Sequence, residues 1–163
     1  MAQIREKEKE SVFADFVINV RRVTKVTKGG KRFSFSALVV SGNQDGQVGI
    51  GLGKSKEVSQ AIAKATNRAR KDLITIPLRN TTIPYPVVGK HGASKVVIRS
   101  ASKGTGVIAG GAMRSVMEAL GIKDVLAKSL GSANRQNVVK ATLNALSKLR
   151  TAKQLKALRD AKA

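Results

Sequence analysis

The stretch GQVGIGLGKS, residues 46–55, ends in Gly-Lys-Ser, which also closes the phosphate-binding loop of many nucleotide-binding proteins. That loop follows the pattern G-x-x-x-x-G-K-[ST] and requires glycine at position 48, where this chain has Val48. Glycines instead alternate with apolar residues from 48 to 53, a period of two that is typical of an extended strand. The stretch therefore predicts a strand whose bare face lets another backbone approach closely, rather than a cradle for ATP.

Residues that could perform acid–base, nucleophilic or metal chemistry are few and scattered. His91 is the single histidine and lies beside a glycine, and the chain has no cysteine. Asp45, Glu57 and Glu118 stand apart in the sequence and form neither a carboxylate pair nor a metal-ligand spacing. We therefore expect no catalytic residues, no metal site, no cofactor and no small-molecule substrate, and the chain is not predicted to be an enzyme.

The net charge of the chain is its most informative property. Its 163 residues include 31 Lys and Arg against 10 Asp and Glu, a formal charge of +21. A charge of this size predicts polyanionic partners, either nucleic acid or an anionic membrane. No apolar run approaches the roughly 20 residues of a membrane-spanning helix, and the first ten residues lack the apolar segment of a signal peptide. We therefore expect a cytoplasmic protein that binds nucleic acid and no membrane.

Two groups of basic residues are candidate RNA contacts. The first combines cations with the accessible main-chain amides of a glycine pair, and it comprises Arg21, Arg22, Lys25, Lys28, Gly29, Gly30, Lys31 and Arg32. The second lies at the start of a predicted helix and along it, and it comprises Lys54, Lys56, Lys64 and Arg68. The alternative for either group is a solvated surface, but the total charge favours contact with RNA phosphates.

Aromatic platforms for base stacking are scarce, since only 3% of the residues are Phe, Trp or Tyr. Phe33 and Phe35 alternate with polar residues and are expected on an apolar face rather than exposed to bases. Binding to folded RNA through charge and shape is therefore favoured over recognition of single strands.

A third segment, SKGTGVIAGGAMR, places glycines before a predicted helix and leaves two interpretations open. Exposed amides near a helix N-terminus could bind an anion together with Arg114. Alternatively, the glycines could allow a partner protein to approach closely. The residues concerned are Gly104, Thr105, Gly106, Gly110, Gly111 and Arg114.

The periodicities divide the chain into a flexible N-terminal arm (1–12), two domains (13–80 and 81–149) and a basic C-terminal tail (150–163). The first domain reads as three strands followed by a helix with an alanine-rich inward face. The second reads as two short strands, a glycine loop leading into a helix, a further strand and a second helix. The predicted fold class is therefore mixed α and β, in two small domains.

Glycines and polar residues mark the expected ends of these elements. Gly29-Gly30 is expected as a two-residue hairpin turn, because positive φ suits glycine. A slip in the apolar alternation near Arg21 and Arg22 predicts a bulge in the first strand. Ser55 is the expected N-cap of the first helix.

Four segments that follow one another in order carry a specific resemblance: VTKVTKGGKRFSFSALVVSG, GQVGIGLGKSKEVSQAIAKA, KGTGVIAGGAMRSVMEALGIKDVLAKSLGS and NVVKAT. Through them the chain resembles the family of the fifth protein of the bacterial-type small ribosomal subunit. The resemblance runs from about Phe16 to Leu149 and covers nearly the whole folded part of the chain.

The resemblance implies an N-terminal domain like a double-stranded-RNA-binding domain that lacks its first helix. It implies a C-terminal βαβα domain with a left-handed crossover, against the usual right-handed preference. Its functional implications are binding to small-subunit ribosomal RNA, support of assembly and accurate decoding, and a place along the path where messenger RNA enters. Neighbouring ribosomal proteins four and eight are the implied protein partners.

Two segments match family regions with known roles. The loop Lys28–Lys31 matches the family loop associated with spectinomycin sensitivity. The segment Gly104–Arg114 matches the region that abuts protein four, which favours the protein contact there. The alternative to a ribosomal protein is a stand-alone double-stranded-RNA-binding protein or RNA chaperone.

Overall fold

The computed structural model describes residues 13–160, and the predicted arm of residues 1–12 lies outside them. The described residues form two compact units, 13–74 together with 115–121, and 75–114 together with 122–160. Each unit contains a four-stranded sheet, and helices accompany both sheets, so the predicted mixed α+β class is confirmed. The domain boundaries expected from the sequence stay predictions.

A long hairpin dominates the first unit. Strand β1 (Ala14–Thr27) pairs antiparallel with β2 (Gly30–Gly42), so Lys28 and Gly29 form the two-residue turn. The predicted turn at Gly29-Gly30 is therefore wrong by one residue. Gly30 already pairs with Thr27 as the first residue of β2, and its φ of 125° is a conformation that L side chains rarely adopt.

The bulge in β1 also lies elsewhere than predicted. The register shifts between Val17 and Asn19, whereas Arg21 and Arg22 continue the ladder without interruption. The slip in the apolar pattern near the two arginines has another cause, because β1 itself is exposed from Val20 to Val26. With neither face of this part of β1 buried in a core, its apolar residues no longer need to alternate.

The hairpin extends beyond the rest of its sheet. Strand β3 (Gln47–Ser55) pairs with β2 only from Gly42 to Phe35, and β4 (Leu73–Thr75) lies on the far side of β3. Among the described strands the sheet order is β1-β2-β3-β4, which places β1 at an edge. The end of the hairpin, residues 23–34, is therefore two strands wide. Together with the adjoining Arg21 and Arg22 it forms the basic ribbon, residues 21–34.

Helix α1 (Val58–Lys71) lies directly against the glycine face of β3. Its inward face consists of Ala61, Ala65 and Ala69, all fully buried. A Cβ atom built on Gly51 would overlap the carbonyl oxygen of Ala65, and Gly49 and Gly53 meet the neighbouring helical turns in the same way. The prediction that bare glycines permit close approach of another backbone is confirmed, and the stretch is a strand, not a phosphate loop.

The N-cap prediction for α1 is wrong. Ser55 is the last residue of β3, where it pairs with Phe35, so the helix begins later. Glu57 is the N-cap, and its side chain makes no capping hydrogen bond. The Ser55 hydroxyl instead donates to Oε1 of Gln60, at 2.9 Å.

The turn between β2 and β3 caps the end of helix α2 (Gly111–Leu120). The amide of Gln44 donates to the carbonyl of Ala119 at 3.0 Å, and the amide of Gly46 donates to that of Leu120 at 3.1 Å. These bonds satisfy carbonyls that have no partner within the helix. The apolar face predicted for α2 is buried, at Met113, Val116, Met117 and Leu120.

The second unit has a sheet of order β5-β6-β8-β7. Its elements are β5 (Val87–His91), β6 (Ser94–Ser100), β7 (Val107–Ile108), β8 (Val125–Gly131), α3 (Arg135–Leu146) and α4 (Ala152–Asp160). Strands β5, β6 and β8 and helix α3 correspond to predicted elements, whereas the two-residue β7 lies inside the predicted glycine loop. Within this sheet β7 and β8 pair in parallel, whereas β5, β6 and β8 pair antiparallel, and the left-handed sense of the crossover stays a prediction.

A buried carboxylate holds the loop that precedes β7. Oδ1 of Asp124 accepts hydrogen bonds from the amides of Gly104, at 2.9 Å, and Gly106, at 3.1 Å. The hydrogen bond with the Thr81 side chain, followed by the one with the Gly106 amide, lowers the pKa of Asp124. The ionised form is therefore the one that the folded state favours.

Replacing Gly51 by Ala is expected to destabilise the first unit by about 2 to 3 kcal/mol, because the added Cβ meets backbone that cannot move aside. Gly29→Ala is the matched control, since nothing lies within 4 Å of its Cβ position. Urea unfolding of the full chain, followed by circular dichroism, measures both. Equal midpoints for the two variants would contradict the account of close packing.

Acid is expected to weaken the second unit through Asp124. Because the pKa of its carboxyl is lowered in the folded state, its stabilising contribution is complete above the unfolded pKa of about 4. The contribution is lost as the pH falls from there through the lower folded value. Asp124→Asn should therefore reduce the free energy of unfolding at pH 7, and the difference from the parent should shrink in acid.

Urea titrations between neutral and acidic pH measure this difference. Asp45→Asn removes the same charge from an exposed turn and serves as the control. If the difference between Asp124→Asn and the parent stayed constant down to strong acid, the carboxylate would not be the group responsible.

Candidate nucleic-acid interface

The basic ribbon concentrates positive charge without any compensating acid. From Phe16 to Gln44 the sequence contains no Asp or Glu. All predicted members of the first group are exposed, namely Arg21, Arg22, Lys25, Lys28, Gly29, Gly30, Lys31 and Arg32. The tip is closed by the Thr27 hydroxyl, which donates to the carbonyl of Gly30 at 3.1 Å. The structure thus brings this whole group together on one protruding element.

The register places cations on both faces of the basic ribbon. Lys25 stands directly opposite Arg32, so two like charges share one face. Arg22 and Lys31 belong to the other face by the alternation of the strands. Like charges directly opposite each other destabilise a sheet. A bound polyanion relieves that repulsion, which makes the ribbon better suited to a phosphate backbone than to bare solvent.

An open groove joins the ribbon to the second basic group. Its volume is about 560 Å³, and its lining includes Val23 and Ser34 from the ribbon. Three of the predicted cations line it as well, Lys54, Lys56 and Lys64. Arg68 is exposed on α1 one turn after Lys64 and is not part of the lining. Glu57 is the single acid among the described residues of this lining, so the two groups predicted separately from the sequence form adjoining parts of one predominantly positive surface.

Arg70, further along α1, has a structural role. Its Nη2 atom lies 2.8 Å from Oδ2 of Asp15 on β1, and its Cζ atom lies 5.6 Å from the centroid of the Phe13 ring. The ion pair and the ring contact hold this side chain against β1. The sequence alone could not separate Arg70 from the neighbouring exposed cations, because the partner is 55 residues away.

The prediction that Phe33 lies on a buried apolar face is wrong. Its alternation with polar residues predicts an inward apolar face, yet the side chain is 48% exposed. Phe35 does pack against the core of the first unit, as expected. The difference arises because β3 pairs with β2 no further than Phe35, so Phe33 lies beyond the reach of the sheet's third strand. The guanidinium of Arg22 lies over the Phe33 ring, 4.5 Å from its centroid.

The glycine segment from 104 to 114 presents an open surface. Gly104, Thr105, Gly110, Gly111 and Arg114 are exposed, and Gly106 is partly so. No atom lies within 4 Å of the Cβ positions of Gly104, Gly106 or Gly111. The amides of Gly104 and Gly106, however, already donate to Asp124. Those two amides are therefore not available to an external anion, and no local pattern in the sequence signals this.

The described part of the chain contains neither the side-chain cluster of a metal site nor a membrane-spanning helix. Among residues 13–160, no three His, Asp or Glu side chains cluster as they would around a metal ion. Within the same range, no helix is both long and apolar enough to span a membrane. His91 is partly buried at the end of β5, next to the turn into β6.

Comparison with known proteins gives consistent matches along the chain. The family described as "Ribosomal protein S5, N-terminal domain" matches residues 13–77, and "Ribosomal protein S5, C-terminal domain" matches residues 89–159. The two matches leave out only a short connecting segment between them and the chain ends.

Curated relatives agree with these two matches. The chain is 49% identical to small ribosomal subunit protein uS5 of Salinibacter ruber, in a match that covers 97% of this chain and 90% of the relative. It is 51% identical to that of Lawsonia intracellularis, covering 94% of each. It is 58% identical to that of Flavobacterium psychrophilum, covering 85% of this chain and 79% of the relative. The chain therefore belongs to the ribosomal protein S5 family.

Proposed function

We propose that this chain is a structural constituent of the small ribosomal subunit and binds the RNA of that subunit through the basic ribbon and the adjoining groove. As a member of the S5 family it is a cytoplasmic ribosomal protein and not an enzyme. The observation that carries the RNA contact is the protruding ribbon, which has six exposed cations and no acid. RNA binding releases the counterions that these cations replace on the phosphates.

The shape of the ribbon supports contact with folded RNA. A ribbon two strands wide, with a Lys-Gly turn at its tip, can enter an irregular RNA groove that a whole sheet could not. The glycines at the tip leave main-chain amides accessible to phosphate oxygens. The loop Lys28–Lys31 is accordingly the proposed point of contact, which extends over Lys54 near the end of β3, Lys56 before α1, and Lys64 and Arg68 on α1.

The finer roles that the family resemblance implies are part of this proposal. They are support of subunit assembly, translational accuracy, and a place along the path where messenger RNA enters. The open segment Gly104–Arg114 is the proposed contact with ribosomal protein four, because Asp124 holds its glycine loop in a fixed, outward-facing shape. Ribosomal protein eight is the second proposed neighbour.

Replacing either Lys28 or Arg32 by Ala is expected to weaken binding to small-subunit ribosomal RNA. The slope of log affinity against log salt should fall by about 0.7 to 0.9 for each phosphate that the variant no longer neutralises. Lys71→Ala removes the same charge at the end of α1, outside the groove, and should change neither quantity. Filter binding over a series of KCl concentrations measures all three variants. Unchanged affinity and slope for both ribbon variants would remove the ribbon from the interface.

Sedimentation of a cell lysate tests the assignment to the subunit. The chain should migrate with the small subunit in a gradient and should stay there in high salt. Migration as free protein, or release at moderate salt, would instead indicate a stand-alone double-stranded-RNA-binding protein or RNA chaperone. Binding to generic RNA duplexes as tight as to ribosomal RNA would support the same alternative.

A further inference from the structure

Phe33 is an exposed aromatic side chain within a surface that is otherwise cationic. It is the only aromatic residue in the basic ribbon, residues 21–34, and about half of it is open to solvent. Exposing apolar area to water is unfavourable. The exposure is fixed by the point at which β3 ends, so the ring stays outside the core of the first unit.

Arg22 and Phe33 form a pair on one face of the ribbon. Thr24 stands opposite Phe33 and Arg22 stands opposite Phe35, so Arg22 is the diagonal neighbour of Phe33. Its guanidinium carbon lies 4.5 Å from the ring centroid, within the distance of a cation–π contact. The contact orients the ring and places a positive charge over one of its two faces. Aromatic rings and guanidinium planes are the two surfaces on which unstacked nucleobases stack.

The surrounding charge favours RNA over a protein as the group that covers this pair. An apolar protein surface would cover the ring but would leave the neighbouring cations desolvated and unpaired, which is costly. RNA supplies a flat π-surface for the ring and phosphates for the cations at the same time. Lys31, next to Phe33 on the same face, and Arg22 itself are the cations that such phosphates would neutralise.

We propose that Phe33 and Arg22 form a stacking site for one unpaired nucleobase of the RNA that the basic ribbon contacts; this inference rests on the proposed function above. The base is one turned out of a loop or bulge, because bases inside a continuous helix have no free face. Stacking is tolerant of base identity, since every base has a π-face. Phe33 thereby selects RNA irregularities, whereas the cations bind phosphates of any sequence.

A tryptophan reporter tests the stacking directly. The chain has no Trp, so Phe33→Trp creates a single indole at the proposed site. Adding small-subunit ribosomal RNA should quench its fluorescence, because the base lies on the ring. Val88→Trp is the matched control: Val88 lies on β5 in the second unit, outside the ribbon and the groove, and is 45% exposed. Its fluorescence should change little.

Affinity measurements separate stacking from charge. Phe33→Leu should weaken binding roughly 5- to 150-fold, which is the range expected when the aromatic side chain under one stacked base is removed. The salt slope should stay that of the parent, because no charge is removed. Phe33→Tyr retains a flat ring and should bind like the parent. Each variant should keep the unfolding midpoint of the parent, since the ring is half exposed.

The outcomes distinguish this inference from the proposed function. If Phe33→Leu binds like the parent while Lys28→Ala and Arg32→Ala bind more weakly, the stacking site is refuted and RNA binding by the ribbon stands. If all of these variants bind like the parent, the proposed RNA contact of the ribbon is itself refuted, and the stacking site is refuted with it. Quenching of Phe33→Trp in assembled subunits but not by the bare RNA would show a protein neighbour on the ring and overturn the proposal.

Discussion

The first unit depends on the direct contact between the backbone of α1 and the backbone of β3. The alternating glycines remove every Cβ from one face of the strand, and the helix presents only alanines to it. The helix is thus fixed by main-chain contact rather than by the interlocking of large side chains. Because this contact sets how closely α1 lies against β3, it also places Lys64 of the helix in the groove beside the ribbon. The contact between the backbones of α1 and β3 therefore determines where the cations of the helix lie in the positive surface.

Periodic features of the chain are predictable, and their ends are not. The glycine alternation at 48–53, the alanine face of α1 and the apolar face of α2 repeat over several turns or residue pairs, so their signal accumulates. The hairpin turn, the bulge and the N-cap of α1 each depend on which residue pairs with which across the sheet. Ser55 has the chemistry of a cap, for example, but its pairing with Phe35 keeps it in β3. Long-range register decides these positions, and local sequence does not encode it.

The candidate site likewise contains residues whose roles are predictable from the sequence and residues whose roles are not. Its cations are predictable because surplus charge stays at the surface wherever the chain folds. The roles of Phe33 and Asp124 are not predictable, because they depend on which other parts of the folded chain lie next to them. Phe33 is exposed because no third strand reaches it, and Asp124 is buried because the amides of Gly104 and Gly106 satisfy its carboxylate. Arg70 differs from its exposed neighbours for a similar reason, the distant Asp15.

The position of β1 at the edge of its sheet has a consequence for the protein before it meets RNA. A strand of 14 residues at the edge of its described sheet, with exposed valines such as Val26 at 71%, is a template on which a second chain could add and begin a fibrillar aggregate. Arg21, Arg22 and Lys25 interrupt that edge with like charges that repel an approaching copy. The cations proposed to bind RNA thus also act as gatekeepers against self-association in a newly made chain. Their protection is electrostatic and therefore weakens as salt screens it.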